Sequence, residues 1–508
     1  MEFPGFSFYL LGALYCVAIY NAVNVLFDRR SPAATTGWLL ALLGLPWIGI
    51  PLYYLIGQSR LRGNIRKKRT RTKRFAAYAQ EFERRFRQIN AAPPTPPPAL
   101  QVVFDRFTRI FRGIGAVAEP YLNNIALLAD GEKTFAHIFA AIENAERYIF
   151  VQYYILRSDR LGLELKDLLI NKAKRGIPVY VLFDDMGSFW LSKQYIRDLR
   201  DAGIQVASFL PVTKMRRGVQ LNFRNHRKLV VVDGQVAFTG GLNVGDEYAG
   251  SSKIPHWRDT HVMVMGPAVA QLEEVFFEDW FFAADSRVSV KQMMRLVEQR
   301  SDTDGDLLRK TFFVLGPGPT QTNRSHQALV QVIPSGPSDD MYLNALLFVE
   351  LINSSRHRLW IASPYFVPDA TLELALELAI LRGVDVRILI PKESDHRIVQ
   401  WVSMHHAMHF KRQGAEVFLY RRGFMHQKVL LVDEIITCIG TTNFDNRAMY
   451  LNFETSLVIH DEIFNSEVAT MLEGDFGSSL RLQLDDIKGE GPLVKLRGNI
   501  ARLLSPLL

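Results

Sequence analysis

A chain of 508 residues, 48% of them apolar, carries enough hydrophobic surface for two domain-sized cores, and its two cysteines exclude a disulfide framework. The net charge of +8 is local: nine basic residues between Arg60 and Arg74 lie in a run without an acid, and removing them leaves the remainder at −1. A nearly neutral body argues against tracking along a polynucleotide, so no nucleic-acid partner is expected.

In chain order, residues 6–27 and 37–57 are uncharged and each is long enough for a hydrocarbon core of ~30 Å. Joined by Asp28-Arg29-Arg30-Ser31-Pro32, they predict a transmembrane helical hairpin over residues 1–59, although Gly44, Pro46, Gly49 and Pro51 leave the second segment open to kinking or re-entry. The basic block outweighs the two arginines of the connection, which by the positive-inside rule puts the C-terminal bulk in the cytoplasm, facing anionic lipid. Within residues 60–99 that block is followed by Phe75, Tyr78, Phe82 and Phe86 at amphipathic helical spacing, then by a spacer holding Pro93, Pro94, Pro96, Pro97 and Pro98.

The remainder repeats itself. A strand-like run at 148–154, a helical segment closed by Arg175-Gly176 and a strand at 178–183 recur as 359–365, 372–381 with Arg382-Gly383, and 386–390. Strand, helix, strand is the βαβ unit, so the fold expected is α/β, with two lobes of mixed sheet flanked by helices and related by a pseudo-two-fold. Gly316-Pro317-Gly318-Pro319 marks the connection, dividing lobes at 100–320 and 321–508.

Each copy carries one His-x-Lys-x4-Asp motif: His226, Lys228 and Asp233, then His426, Lys428 and Asp433, 200 residues later. Gly240 and Asn243 recur at the same offset as Gly440 and Asn443. Residues i and i+2 of a strand share a face, so each histidine projects beside its lysine. If Asp233-Gly234 forms a two-residue hairpin turn, Gly241 falls opposite His226, leaving room for a phosphate, and Asn243 falls on the same face. The aspartates, at an odd offset and in the turn, belong to the motif but are read as shaping it.

Two imidazoles, two ammonium groups and two carboxamides suit phosphodiester chemistry without a metal or other cofactor. One histidine attacks phosphorus while the other protonates the departing alkoxide, and the lysines with Asn243 and Asn443 hold the non-bridging oxygens. Each imidazole needs an acceptor on its second nitrogen, for which Asp259 and Glu454 are the candidates. The pair His405 and His409 has zinc-ligand spacing but no completing ligand nearby.

On these residues the chain resembles the phospholipase D superfamily and, within it, bacterial cardiolipin synthases. The N-terminal apolar segments, Arg224 to Lys228, Gly240-Gly241-Leu242-Asn243, Trp257-Arg258-Asp259, Pro334 to Pro337 and Asn443 to Arg447 carry the closer resemblance. Gly241 and Thr441 depart from the serine common in the superfamily, and Ala448 from a serine expected after Arg447. The resemblance implies transfer of a phosphatidyl group between two phosphatidylglycerols in the bacterial inner membrane, with His226 more often the nucleophile. A phospholipase D giving the intermediate to water or another alcohol would use the same site. Self-association is left open.

Overall fold

The structure, a computed structural model, describes residues 4–27, 32–57, 109–111, 120–210, 222–249, 257–284, 327–339 and 341–485. The basic block, the amphipathic segment, the Pro-rich spacer and the lobe boundary near residue 320 lie outside the described residues.

The helix Pro4–Phe27 contains one stretch, Tyr9–Phe27, long and apolar enough to cross a membrane. The second apolar segment is not one continuous helix. It forms two helices, Pro32–Gly44 and Pro46–Ile56, broken at Leu45. Proline at 46 opens the new helix, where its missing N–H costs nothing. The chain then folds back: Trp38 and Tyr53 meet edge to face at 5.6 Å, whereas a straight helix would hold them about 22 Å apart. Gly49 is the contact point, since a Cβ there would lie 2.2 Å from the Ala41 carbonyl oxygen. The two helices, of 13 and 11 residues, form a hairpin packed through Leu42 and Tyr53 on Ala22 and Val25 of the first helix.

The first copy contributes β1 (Tyr121–Ala129), β2 (Ile149–Tyr153), β3 (Val179–Asp184), β4 (Gln205–Phe209), β5 (Arg224–Asn225), β6 (Leu229–Val232), β7 (Val236–Gly240), β8 (Trp257–Arg258) and β9 (Thr260–Met265). The second contributes β10 (Gln327–Ser335), β11 (Arg358–Ala362), β12 (Phe366–Val367), β13 (Asp385–Pro391), β14 (Glu416–Tyr420), β15 (Phe424–Met425), β16 (Val429–Val432), β17 (Ile436–Gly440), β18 (Phe444–Asp445), β19 (Asn452–His460) and β20 (Ser479–Arg481). The main sheet runs β4-β3-β2-β6-β7-β9-β1 and continues through β10-β19-β17-β16-β11-β13-β14-β20. Rather than two separate sheets, the copies form one, joined where β1 pairs antiparallel with β10, Tyr121 opposite Val330.

The expected βαβ units are present. Arg160–Lys174 links the parallel strands β2 and β3, and Ala370–Leu381 links β11 and β13. Asp159 and Asp369 cap these helices by accepting amide hydrogens of their first turns. Helices Pro267–Ala283 and Glu462–Gly477 cover the junction, where Phe276, Trp280, Leu472 and Phe476 share a core with Val330 and Val332 of β10. Each such side chain contributes roughly 1.5–3 kcal/mol by burial.

The β6–β7 register differs by one residue from the two-residue turn. Val232 pairs with Val236 and Leu229 with Thr239, so Asp233, Gly234 and Gln235 form a three-residue loop, as do residues 433–435 between Val432 and Ile436. The cause is non-local. Asp233, at φ 56°, accepts the backbone N–H groups of Glu146, Arg147 and Tyr148 at 2.8, 2.8 and 2.9 Å. Asp433, at φ 50°, does the same for Arg356, His357 and Arg358. The carboxylate draws the turn toward the start of the neighbouring strand, and a one-residue slip follows.

Candidate active site

Each histidine follows a two-residue strand that leaves its own sheet and pairs in parallel with the other copy. β5 runs beside β19, Asn225 opposite Phe453, and β15 runs beside β8, Met425 opposite Arg258. The His226 amide donates to the Phe453 carbonyl at 2.9 Å and the His426 amide to the Arg258 carbonyl at 2.7 Å. The next residue along each partner strand is a carboxylate, and it meets the imidazole. His226 Nδ1 lies 3.0 Å from Glu454, and His426 Nδ1 lies 2.7 Å from Asp259. The two copies therefore exchange the carboxylates that face their histidines, and Lys428 Nζ of the second copy also lies 3.0 Å from His426 Nδ1.

With Nδ1–H donated to a carboxylate, Nε2 of each ring carries the lone pair. Tyr154 packs against His226 at 4.9 Å between ring centroids, and Trp257 against His426 at 5.3 Å. Lys228 and Lys428 are buried beside them and donate to the carbonyls of His226 and His426.

The asparagines are less alike than the repeat suggests. The Asn243 side-chain oxygen accepts the Ile155 amide at 3.1 Å, and its NH2 group donates to the Tyr248 hydroxyl at 2.8 Å, leaving one N–H over. Asn443 bonds Asp445, and its buried Oδ1 has no hydrogen-bond partner among the described residues. Asp233 and Asp433, counted with the catalytic motif in the sequence, are engaged by the backbone amides described above.

Gly241 and Thr441, expected opposite the histidines, leave no space for a phosphate. A Cβ at Gly241 would lie 2.0 Å from the Asp259 carboxylate, so the space there is filled by the orienting acid, not by a phosphate. In the other half Thr441 donates its hydroxyl to Glu454.

The family model described as "Cardiolipin synthase, PLD-like domain" matches residues 138–280 and 348–476, and one described as "Phospholipase_D-nuclease N-terminal" matches 13–58. Among curated relatives, "Cardiolipin synthase A" of Pseudomonas entomophila is 38% identical over 99% of this chain and 99% of its own. The protein of the same description from Pseudomonas aeruginosa is 37% identical over 98% of this chain and 96% of its own. The chain belongs to the cardiolipin synthase family of phospholipase D-like proteins. Among solved structures, phosphatidylserine synthase of Haemophilus influenzae superposes with a TM-score of 0.56 at 17% identity, covering 79% of this chain and 100% of that one, which shows a shared fold.

In this family member the site is electrostatically taut. Burial holds His226 down to about 4 against the opposing pull of Glu454, and holds His426 well below its ordinary value, with the Lys428 and Lys228 charges adding to the effect. Burial also lowers Lys428 to about 8, and lowers Lys228 strongly. Burial thus favours the neutral form of both imidazoles.

Arg227 and Arg258 make further buried contacts that no sequence motif marks. Arg227, between His226 and Lys228, pairs with Asp279 at 2.8 Å and donates to the carbonyl oxygens of Glu454 and Ser335. Arg258 pairs with Asp475 at 2.9 Å, and Gln427 donates to the same carboxylate. These bonds pin the crossing strands, and their only trace in the sequence is that Asp279 and Asp475 occupy comparable places in the two copies. Among the described residues no group of three or more His, Cys, Asp or Glu is placed to hold a metal ion. His406 and His409 pair instead with Glu373 and Glu377, each at 2.8 Å.

Proposed function

We propose that the chain is a cardiolipin synthase that transfers a phosphatidyl group from one phosphatidylglycerol to the terminal hydroxyl of another, by way of a phosphohistidine. One imidazole attacks phosphorus through Nε2, and the bond to glycerol breaks as the other imidazole protonates the leaving oxygen. That second histidine then takes the proton of the incoming hydroxyl, whose oxygen displaces the first histidine to give cardiolipin. Lys228, Lys428 and the remaining N–H of Asn243 hold the non-bridging oxygens as negative charge gathers on them. The phosphodiester's own charge offsets the lysine field and makes a protonated imidazole accessible on binding.

The reciprocal pairing of His226 with Glu454 and His426 with Asp259 carries this reading, because it supplies two oriented imidazoles in one site. Full-length similarity to cardiolipin synthases supports the choice of acceptor. The apolar first helix supports a membrane location, and the basic residues between Arg60 and Arg74 favour lobes on the cytoplasmic side of the bacterial inner membrane. Mass spectrometry of products from purified enzyme and phosphatidylglycerol vesicles tests the reading. Cardiolipin with free glycerol is expected, and phosphatidic acid without cardiolipin would overturn it.

A further inference from the structure

The 200-residue offset that relates the halves also exposes where they have parted. Arg224 lies two residues before His226 and shares its strand face, but the related position holds Phe424, whose ring lies 5.6 Å from His426 and 4.7 Å from Trp257. Arg447, four residues after Asn443, has as its counterpart Glu247, which is paired with Arg157 at 2.8 Å. One flank of the site is dicationic, and the other is aromatic and acidic.

The two arginines arrive from different copies and settle on one short segment. Arg447 donates from Nη1 to Asn222 Oδ1 at 2.9 Å and from Nη2 to the Asn222 carbonyl at 2.7 Å. Arg224 donates to the Phe223 carbonyl at 2.6 Å. Among the described residues neither guanidinium forms an ion pair, although both are partly buried. The nearest acids are otherwise engaged. Asp184 accepts the amides of Met186, Gly187 and Asn225, and Asp445 accepts the amide of Ala448 and the side chain of Asn443. Burial, and then the charge of Arg224, hold Arg447 below its ordinary value, as expected for like charges kept together. Two planar cations that feel the charges of Asp184 and Asp445 but form no ion pair among the described residues, beside the ring of Tyr154 that packs on His226, make a site suited to a phosphate.

A reaction between two phosphatidylglycerols needs such a place. The reacting phosphodiester lies between the histidines, while the acceptor brings a second phosphodiester three carbons from its attacking hydroxyl. We propose that Arg224 and Arg447 form the subsite that holds the phosphate of the acceptor lipid, so that the enzyme selects an anionic acceptor over water or a neutral alcohol. This rests on the cardiolipin synthase reading above.

The test uses full-length enzyme in detergent micelles with phosphatidylglycerol, and follows two reactions: cardiolipin formation, and exchange of labelled glycerol into phosphatidylglycerol. Arg447→Gln and Arg224→Gln are expected to lower cardiolipin formation about tenfold or more, mainly through a higher KM for the acceptor, while glycerol exchange falls by no more than about threefold. Arg447→Lys restores part of the loss. Equal losses in both reactions would assign the arginines to the reacting phosphate or to folding and overturn the subsite, as would no loss in either. Wild-type enzyme that exchanges glycerol but forms no cardiolipin overturns the underlying reading itself, and so separates the two failures.

Discussion

The His226 and His426 halves share a backbone device and differ in the side chains around it. In each, a two-residue strand crosses to the other copy, its histidine meets the carboxylate one residue past the crossing, and its lysine folds back on the histidine carbonyl. Around that frame the first half has Arg224, Tyr154 and Arg447, and the second has Phe424, Trp257 and Glu247. Duplication supplies two equivalent imidazoles, whereas the reaction needs a nucleophile and an acid. Divergence at the flanks is how one geometry can come to hold two copies of one lipid in different roles, donor and acceptor.

The strongest way to break the comparison is to remove one half at a time. If the halves form one site, His226→Ala and His426→Ala each lower phosphatidyl transfer by about a thousandfold or more, and the double variant is little worse than either single one. Two independent sites would leave about half the activity in each single variant. Next in size are the crossed acids. Glu454→Gln and Asp259→Asn should each lower kcat by about a hundredfold with little change in KM, measured as initial rates on phosphatidylglycerol micelles.

Much of this was legible in the sequence, and the rest failed for reasons of distance along the chain. The two motifs, the βαβ units and both orienting acids could be read from local pattern. The exchange of those acids could not, because it depends on two-residue strands too short to leave a periodic signature. The turn register slipped because Asp233 answers to amides at 146–148, far from it in sequence. The sequence suggests space for a phosphate at Gly241 because Asp259, which fills that space, is 18 residues away. The apolar run at 37–57 has the length of a span, and only the packing of Trp38 on Tyr53 shows that it turns back.

Gly241 and Thr441 sharpen the comparison at smaller scale. Gly241→Ala must displace the Asp259 carboxylate and should lower kcat about tenfold, whereas Thr441→Ala removes one hydroxyl from Glu454 and should cost about threefold. The turn aspartates act on the fold: Asp233→Ala strips three amides of their acceptor at a positive φ and should lower stability by about 3 kcal/mol, read as a fall in Tm.

The smallest effect is a pH dependence. Burial pushes Asp445 up to about 7 from an ordinary 3.8, so its contribution to stability is complete below the unfolded value and is lost as pH rises through about 7. Asn can still cap the helix at Ala448. Relative to the wild type, Asp445→Asn should gain about 2–4 °C in Tm between about pH 5 and about pH 8.

The central claim is that one covalent step passes through this crossed pair of histidines. Quenching the enzyme during turnover of phosphatidylglycerol labelled with ³²P in its phosphate, followed by peptide mass spectrometry, locates the phosphoenzyme. The account predicts label on one imidazole, that of His226 or His426, and its disappearance when that histidine is replaced by Ala. Label at neither residue would contradict it.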